Sequence, residues 1–169
     1  MSRLSTSRVP QPIGPDLEPA VLALNNEHAV ELSWLEPDRL HDLIGRAFYA
    51  RRVGELAAFL IAFDQSADYD SPNYLWFRER YPRFVYVDRI VVDRGARGQR
   101  LAQLLYEDLF ARAVNSGHER VCCEVNSDPP NPASDAFHAR LGFTEVGAAA
   151  IHGGAKSVRY LVRALEKGR

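Results

Sequence analysis

The sequence predicts an α/β protein, and three observations carry that prediction. Residues 84–92 are strongly β-prone, and an Arg/Gly-rich turn leads from them into Leu101, Leu104, Leu105 and Leu109, one apolar stripe at helical spacing. The same order of strand, turn and helix recurs: residues 121–125 read as a strand, Asp128-Pro129-Pro130-Asn131 as a turn, and residues 132–141 as a helix capped by Asn131 and stopped by Gly142. The chain has 169 residues, 46% of them apolar and 25% charged, which is the size and composition of one globular domain rather than a disordered or fibrous chain.

The remaining elements follow in chain order. Residues 1–17 carry Pro and Ser without apolar periodicity and read as a mobile tail, leaving one domain over 18–169. Residues 21–24 read as a short strand and Asn25-Asn26 as a turn. Glu36-Pro37 starts a helix with Pro in its first turn, and Leu40, Leu43, Ile44 and Ala47 keep helical spacing. Residues 48–53 and 56–63 make two strands around Gly54, whereas 64–82 breaks both periodicities and reads as a long loop rich in Asp and aromatics. Gly117 ends the helix that begins near Leu101, and residues 143–150 and 156–162 are the last two strands.

Composition excludes several function classes. The net charge of −1 argues against a nucleic-acid partner, since phosphate binding needs a basic surface. The charge is uneven: residues 1–82 hold 8 basic against 12 acidic side chains and residues 83–169 hold 13 against 10, so an anionic ligand suits the C-terminal half. Cys122 and Cys123 are adjacent and point to opposite sides of a strand, which builds neither a disulfide framework nor a zinc site. His28, His41, His118 and His152 lack metal-ligand spacing, so no metal is expected. No apolar run approaches the roughly 20 residues that span a bilayer, and residues 1–16 contain no signal-peptide core, so the expected location is cytoplasmic with no membrane partner.

The turn before Leu101 is the first candidate site. A strand, an Arg/Gly turn and a helix N-terminus present backbone N–H groups to a phosphate, with Arg94, Arg97 and Arg100 beside them; a solvated turn with surface arginines is the alternative. The segment Val92-Asp93-Arg94-Gly95-Ala96-Arg97-Gly98-Gln99-Arg100-Leu101-Ala102 resembles the acyl-CoA-binding motif of the GNAT superfamily of N-acetyltransferases, Arg/Gln-x-x-Gly-x-Gly/Ala. Arg97 takes the first position and Ala102 the last, while Arg100 stands where the family usually has glycine. Glu124-Val125-Asn126, Asn131 and Phe137-His138-Ala139-Arg140-Leu141-Gly142-Phe143 resemble the family's second strand and helix, so the likeness extends over about residues 20–165, and stretches within 69–77 and 124–138 resemble a bacterial subgroup.

The resemblance implies a twisted mixed sheet with splayed central strands, helices on both faces, and a pantetheine arm wedged between the strands at 84–92 and 121–125. It implies acetyl-CoA as acyl donor, with backbone at Ile90, Val91 and Val92 hydrogen-bonding the arm and acetyl carbonyl. Arg97, Gly98, Gln99, Arg100, Leu101 and Ala102 then hold the pyrophosphate, and Asn126 and Asn131 also belong to the cofactor site. A homodimer through residues 143–162 is a further implication.

Acyl transfer to an amine needs a base, because the acceptor is an ammonium at pH 7. A carboxylate or a water chain supplies it, and Asp88 and Glu124 are the candidate carboxylates, on neighbouring strands, with pairing to Arg89 or another arginine as the structural alternative. His138 occupies the family's usual tyrosine position, where a side chain protonates the departing thiolate; a histidine capped by Asp135 on the helix surface is the alternative. Ser134, Asp135 and His138 are hydrolase residue types, but their spacing on one short helix does not suit a nucleophile and its base. The acceptor expected is a primary amine of a small molecule, amino acid or peptide, gated by 64–82; a non-catalytic acyl-CoA-binding module is the other reading.

Overall fold

The computed structural model describes residues 8–30 and 32–166, in which seven strands order as β1-β2-β3-β4-β5-β7-β6 in a mixed sheet. The chain forms two compact units, the first from residues up to Phe63 with Asp88–Ala111, the second from Asp64–Val87 with the residues from Arg112 onward. Strand β4 (Val85–Val92) and helix α4 (Leu101–Asn115) pass from one unit into the other.

In the first unit, β2 (Tyr49–Val53) and β3 (Ala58–Asp64) form the expected hairpin, from Tyr49 opposite Ala62 to Val53 opposite Ala58. Gly54 sits in the connection at φ +65°, where a side chain is strained. Ala58 to Phe63 are all fully buried, so β3 reads as a continuous apolar run rather than an alternating one. Helix α2 (Pro37–Arg46) starts at Glu36-Pro37 as expected and buries Leu40 and Leu43.

Two expectations change here. Residues 21–24 are not a strand: they lie inside helix α1 (Glu18–Glu27), which begins with Pro19 in its first turn and buries Val21 and Leu24 three residues apart. A run of four apolar residues fits either period, and the good helix formers around it decide the matter. The expected tail carries structure in its described part: β1 (Gln11–Pro12) pairs with Arg52 and Arg51 of β2, and Ile13 is buried. Residues 1–7 of that tail lie outside the described residues.

In the second unit the segment expected as a loop contains helix α3 (Pro72–Arg78), again with Pro in its first turn. Its aromatics build core. Tyr74 and Phe77 are fully buried and meet Phe84, Tyr86 and Tyr160 with ring centroids 5.3–6.4 Å apart. Trp76 stacks on Tyr160 at 4.2 Å with the Arg80 guanidinium 3.8 Å from its ring centroid. A Cβ on Gly147 would come within 2.5 Å of the Trp76 ring, so glycine is required at that approach. Strand β5 (Arg120–Asp128) pairs antiparallel with β7 (Lys156–Ala164), which also pairs with β6 (Thr144–Ile151). Helix α5 (Pro132–Arg140) is capped by Asn131, whose side chain accepts from the Ser134 N–H. Strands β4 and β5 run parallel, but their ladder holds only Val85 opposite Val121 and Tyr86 opposite Cys122. Both strands continue past that point.

Candidate functional site

The Arg/Gly turn has a defined backbone. Asp93 N–H donates to the Ala57 carbonyl at 2.9 Å, a single 3-10 turn covers Arg94–Ala96, and Ala96 is buried beneath it. Arg97 to Arg100 are exposed. Gly98 lies at φ +80° and Arg100 at φ +59°, so the residue in the usual glycine position adopts the left-handed backbone that glycine takes at least cost. Helix α4 follows at once. Its Leu104 N–H bonds to the Arg100 carbonyl at 3.1 Å, so the N–H groups of Leu101, Ala102 and Gln103 have no acceptor within the helix. Arg8 donates to the Gln99 carbonyl at 2.8 Å. An exposed loop with Arg94, Arg97 and Arg100, ending at unpaired helical N–H groups, fits a pyrophosphate.

Along β4, Val87, Arg89 and Val91 are buried and Asp88, Ile90 and Val92 share the more open face. Asp88 is committed to an ion pair: Arg89 Nε donates to its Oδ2 at 2.7 Å, and each side chain is only 5% exposed. The same guanidinium donates from Nη1 to Asn25 Oδ1 at 2.7 Å, and Asn25 Nδ2 donates to the Ser33 carbonyl at 2.9 Å. Arg89 therefore ties β4 to α1 and to the segment that follows it. Asn25 reads as a turn residue in the sequence, and nothing in its local pattern signals this buried contact.

Glu124 lies in the other unit, on the half-buried face of β5 with Asn126. Asp88 and Glu124 thus have separate partners: Tyr86 donates its hydroxyl to Glu124 Oε2 at 2.7 Å. Tyr160 is the register partner of Glu124 on β7, and its hydroxyl donates to Asn73 Oδ1 at 2.9 Å. Burial, then the negative charge of Glu124, raise the Tyr160 pKa above its usual value, with Arg80 opposing. Tyr86 and Tyr160 are neighbours of Glu124 that sequence reasoning did not pair with it. The signal for Tyr86 was alternation on its strand; for Tyr160 there was none without the β5–β7 register.

Asn131 has its side chain engaged as the α5 cap, which leaves less for a cofactor than the resemblance implies. His138 lies on α5. It is buried, packed at 5.3 Å against both Phe137 and Phe143, and its Nδ1 lies 2.8 Å from the Ser134 carbonyl. A carbonyl only accepts, so Nδ1 carries the proton of the neutral ring and Nε2 carries none. Burial lowers the His138 pKa, against smaller raising effects of the Ser134 hydrogen bond and the Asp135 charge. A neutral imidazole with its one proton bonded to a carbonyl is a poor acid toward a thiolate. Asp135, expected as its alternative cap, pairs instead with Arg159.

These histidines set a pH dependence. His118 is also buried with a lowered pKa, chiefly by desolvation, with Asp64 raising and Arg83 lowering it. Below about pH 6.5 the unfolded chain takes up protons that the folded His118 and His138 do not, so stability falls as pH drops from about 6.5 toward their folded pKa values. Chemical denaturation between pH 7.5 and 5 should show this loss, and it should diminish in His138→Gln. An unchanged slope in that variant would mean that His138 titrates alike in both states.

Comparison with known proteins places the fold. The model of the acetyltransferase (GNAT) family matches residues 15–143. No curated protein matches the chain. Among solved structures, the ribosomal-protein-S18-alanine N-acetyltransferase from Escherichia coli is similar at TM-score 0.70 and 17% identity, over 95% of this chain and 96% of that one. Arabidopsis thaliana NAA60, solved with acetyl-CoA, is similar at TM-score 0.72 and 14% identity, over 93% and 98%. An aminoglycoside 6'-N-acetyltransferase complexed with coenzyme A gives TM-score 0.71 and 13% identity, over 95% and 99%. At these identities the structures show a shared fold, and the family model carries the activity. Among the described residues no helix is long and apolar enough to cross a membrane, and no group of His, Cys, Asp and Glu is arranged to hold a metal ion. The loop before α4, the short parallel β4–β5 ladder and the family match agree: the chain belongs to the GNAT family, whose members are acyl-CoA-dependent N-acetyltransferases that use acetyl-CoA as donor.

Proposed function

We propose that the chain transfers the acetyl group of acetyl-CoA to a primary amine of a small molecule, amino acid or peptide, with Glu124 as the base. The observation that carries this reading is the half-buried position of Glu124 on β5, where its Oε2 accepts from the Tyr86 hydroxyl. A carboxylate on that face of β5 is of the right chemistry to take a proton from the acceptor ammonium, directly or through a water. Asp88, spent on Arg89, is a strut between β4 and α1.

Arg97 and the backbone from Gly98 to Ala102 are the groups that hold the pyrophosphate, and backbone at Ile90 to Val92 lines the acyl end of the arm. When bound, acetyl-CoA supplies an activated thioester. The thiol leaving group has a pKa of about 8.5, so it departs without a strong acid, consistent with the neutral state of His138.

A thiol reporter with acetyl-CoA and a panel of primary amines (a diamine, an arylalkylamine, an aminoglycoside, free amino acids and short peptides) tests the reading. Acceptor-dependent CoA release is the expected result; binding of acetyl-CoA without release for any amine would leave only a binding module.

The loop gives a second expectation. Arg97→Ala should weaken acetyl-CoA binding by about 1.5–3 kcal/mol, and the loss should shrink with a pantetheine fragment lacking the pyrophosphate. Arg100→Gly relieves a left-handed residue worth about 1–2 kcal/mol, offset by about 0.4–1 kcal/mol of added freedom in the unfolded chain. That variant should therefore be about 0 to 1.6 kcal/mol more stable while binding acetyl-CoA less tightly. Calorimetric titration and denaturant melts read the two effects separately, and unchanged affinity in Arg97→Ala at low salt would remove Arg97 from the site.

A further inference from the structure

We infer that Arg8 is a positioning residue for cofactor binding: its guanidinium holds the Gln99 carbonyl and so turns the Arg100 N–H toward the pyrophosphate of acetyl-CoA. This rests on the reading of residues 97–102 as the pyrophosphate loop. Arg8 Nη2 donates to the Gln99 carbonyl at 2.8 Å, across 91 positions of sequence.

The arm that carries Arg8 belongs to the same unit as the loop and is anchored there. Ile13 is buried and its N–H donates to the Ala50 carbonyl at 3.3 Å. Gln11 and Pro12 lie opposite Arg52 and Arg51 on β2, and Arg51 Nη1 donates to the Pro10 carbonyl at 3.1 Å. The start of the loop is tied to the same hairpin, since the Asp93 N–H donates to the Ala57 carbonyl at 2.9 Å. The loop is thus held near both ends, at Asp93 directly and at Gln99 through Arg8.

A trans peptide is planar, with its C=O and N–H pointing in opposite directions. A Gln99 carbonyl drawn to Arg8 therefore aims the Arg100 N–H away from Arg8. Local sterics favour the other orientation. Turning the Gln99–Arg100 peptide over rotates ψ of Gln99 and φ of Arg100 together, and carries Arg100 from φ +59° into the negative-φ region that residues with a Cβ prefer. Gly98, at φ +80°, adds no stiffness on the preceding side. The Arg8 bond opposes that turnover and accounts for a residue other than glycine held left-handed just before α4. With the peptide held, the Arg100 N–H precedes those of Leu101, Ala102 and Gln103, which have no acceptor within the helix, in a run of donors suited to a pyrophosphate.

Arg8 also brings a further guanidinium to a loop that carries Arg94, Arg97 and Arg100 against one acid, Asp93. That charge by itself attracts phosphates, but salt screens its pull, whereas salt does not release a held peptide.

In calorimetric titration Arg8→Ala should bind acetyl-CoA about tenfold more weakly, at low salt and at about 0.5 M salt alike. Its affinity for S-acetylpantetheine, which lacks the pyrophosphate, should not change. Arg8→Lys, which keeps a donor and the charge, should recover part of the loss. In the Arg100→Gly background, where a left-handed backbone costs little, Arg8→Ala should lose no more than about threefold. In ligand-free protein labelled with nitrogen-15 arginine, the three-bond coupling between HN and Hα of Arg100 should rise in Arg8→Ala as φ leaves the left-handed region. Equal losses in the two backgrounds, or a loss that vanishes with salt, would assign Arg8 to charge rather than orientation and overturn the inference. Undiminished affinity in Arg8→Ala beside a weakened Arg97→Ala, or an unmoved Arg100 coupling, would overturn it as well. If Arg97→Ala itself binds as tightly as the unaltered chain, the reading of the loop falls first, and this inference with it.

Discussion

Glu124→Gln should lower kcat for amine acetylation by about 10² to 10⁴ at pH 7 while leaving acetyl-CoA affinity within about twofold. The magnitude follows from what the substitution removes. Gln matches Glu in shape, and its amide oxygen still accepts from the Tyr86 hydroxyl 2.7 Å away, so the aromatic packing of Tyr74, Phe77 and Tyr86 is retained. The amide has no lone pair basic enough to take a proton from an ammonium, so the reaction depends on the small fraction of acceptor already neutral. The loss should therefore shrink as pH rises toward the acceptor's own pKa. Steady-state kinetics from pH 6 to 9.5, beside calorimetry of acetyl-CoA binding, read both parts. A variant that acetylates at the unaltered rate at pH 7 would move the base elsewhere.

Arg89→Met should destabilise the fold by about 3–5 kcal/mol, the largest stability effect expected of any single change here. Removing the guanidinium leaves the Asp88 carboxylate, 5% exposed, without its cation and leaves Asn25 Oδ1 without its 2.7 Å donor in a fully buried position. Both costs come from orphaned groups rather than from lost attraction, because a buried pair as a whole returns little net stability. Asp88→Asn in the same background should recover part of the loss by removing the stranded charge. Urea melts of the two single variants and the double variant test this, and a loss below about 1 kcal/mol in Arg89→Met would mean that water reaches Asp88 once the arginine is gone.

The elements legible in the sequence were those with long or repeated signals. Leu101, Leu104, Leu105 and Leu109 marked α4, and Glu36-Pro37 marked the start of α2. The hairpin around Gly54 followed from two apolar runs and one glycine. Short elements were not legible: Val21 and Leu24 suit a strand or a helix equally, and Pro72–Arg78 hides a seven-residue helix in a segment whose aromatics suggested a binding loop.

Around the candidate carboxylates, the pairing of Asp88 with its neighbour Arg89 was readable as an alternative, but the partners distant in sequence were not. Arg89 reaches Asn25 across 64 positions of sequence and Tyr86 reaches Glu124 across 38, distances at which residue pattern carries no information. Arg100 posed the reverse problem. Its side chain broke the expected motif, while its backbone, at φ +59°, kept the conformation that the motif's glycine supplies.

The central claim is that an acetyl group moves from the thioester to an amine nitrogen. Acetyl-CoA labelled in its acetyl carbon, incubated with the protein and the amine panel and followed by mass spectrometry, tests it most directly. The account predicts label in an N-acetylated amine, formed only in the presence of protein and strongly reduced by Glu124→Gln. Label that stays in the thioester with every amine, or appears only as free acetate, would contradict it.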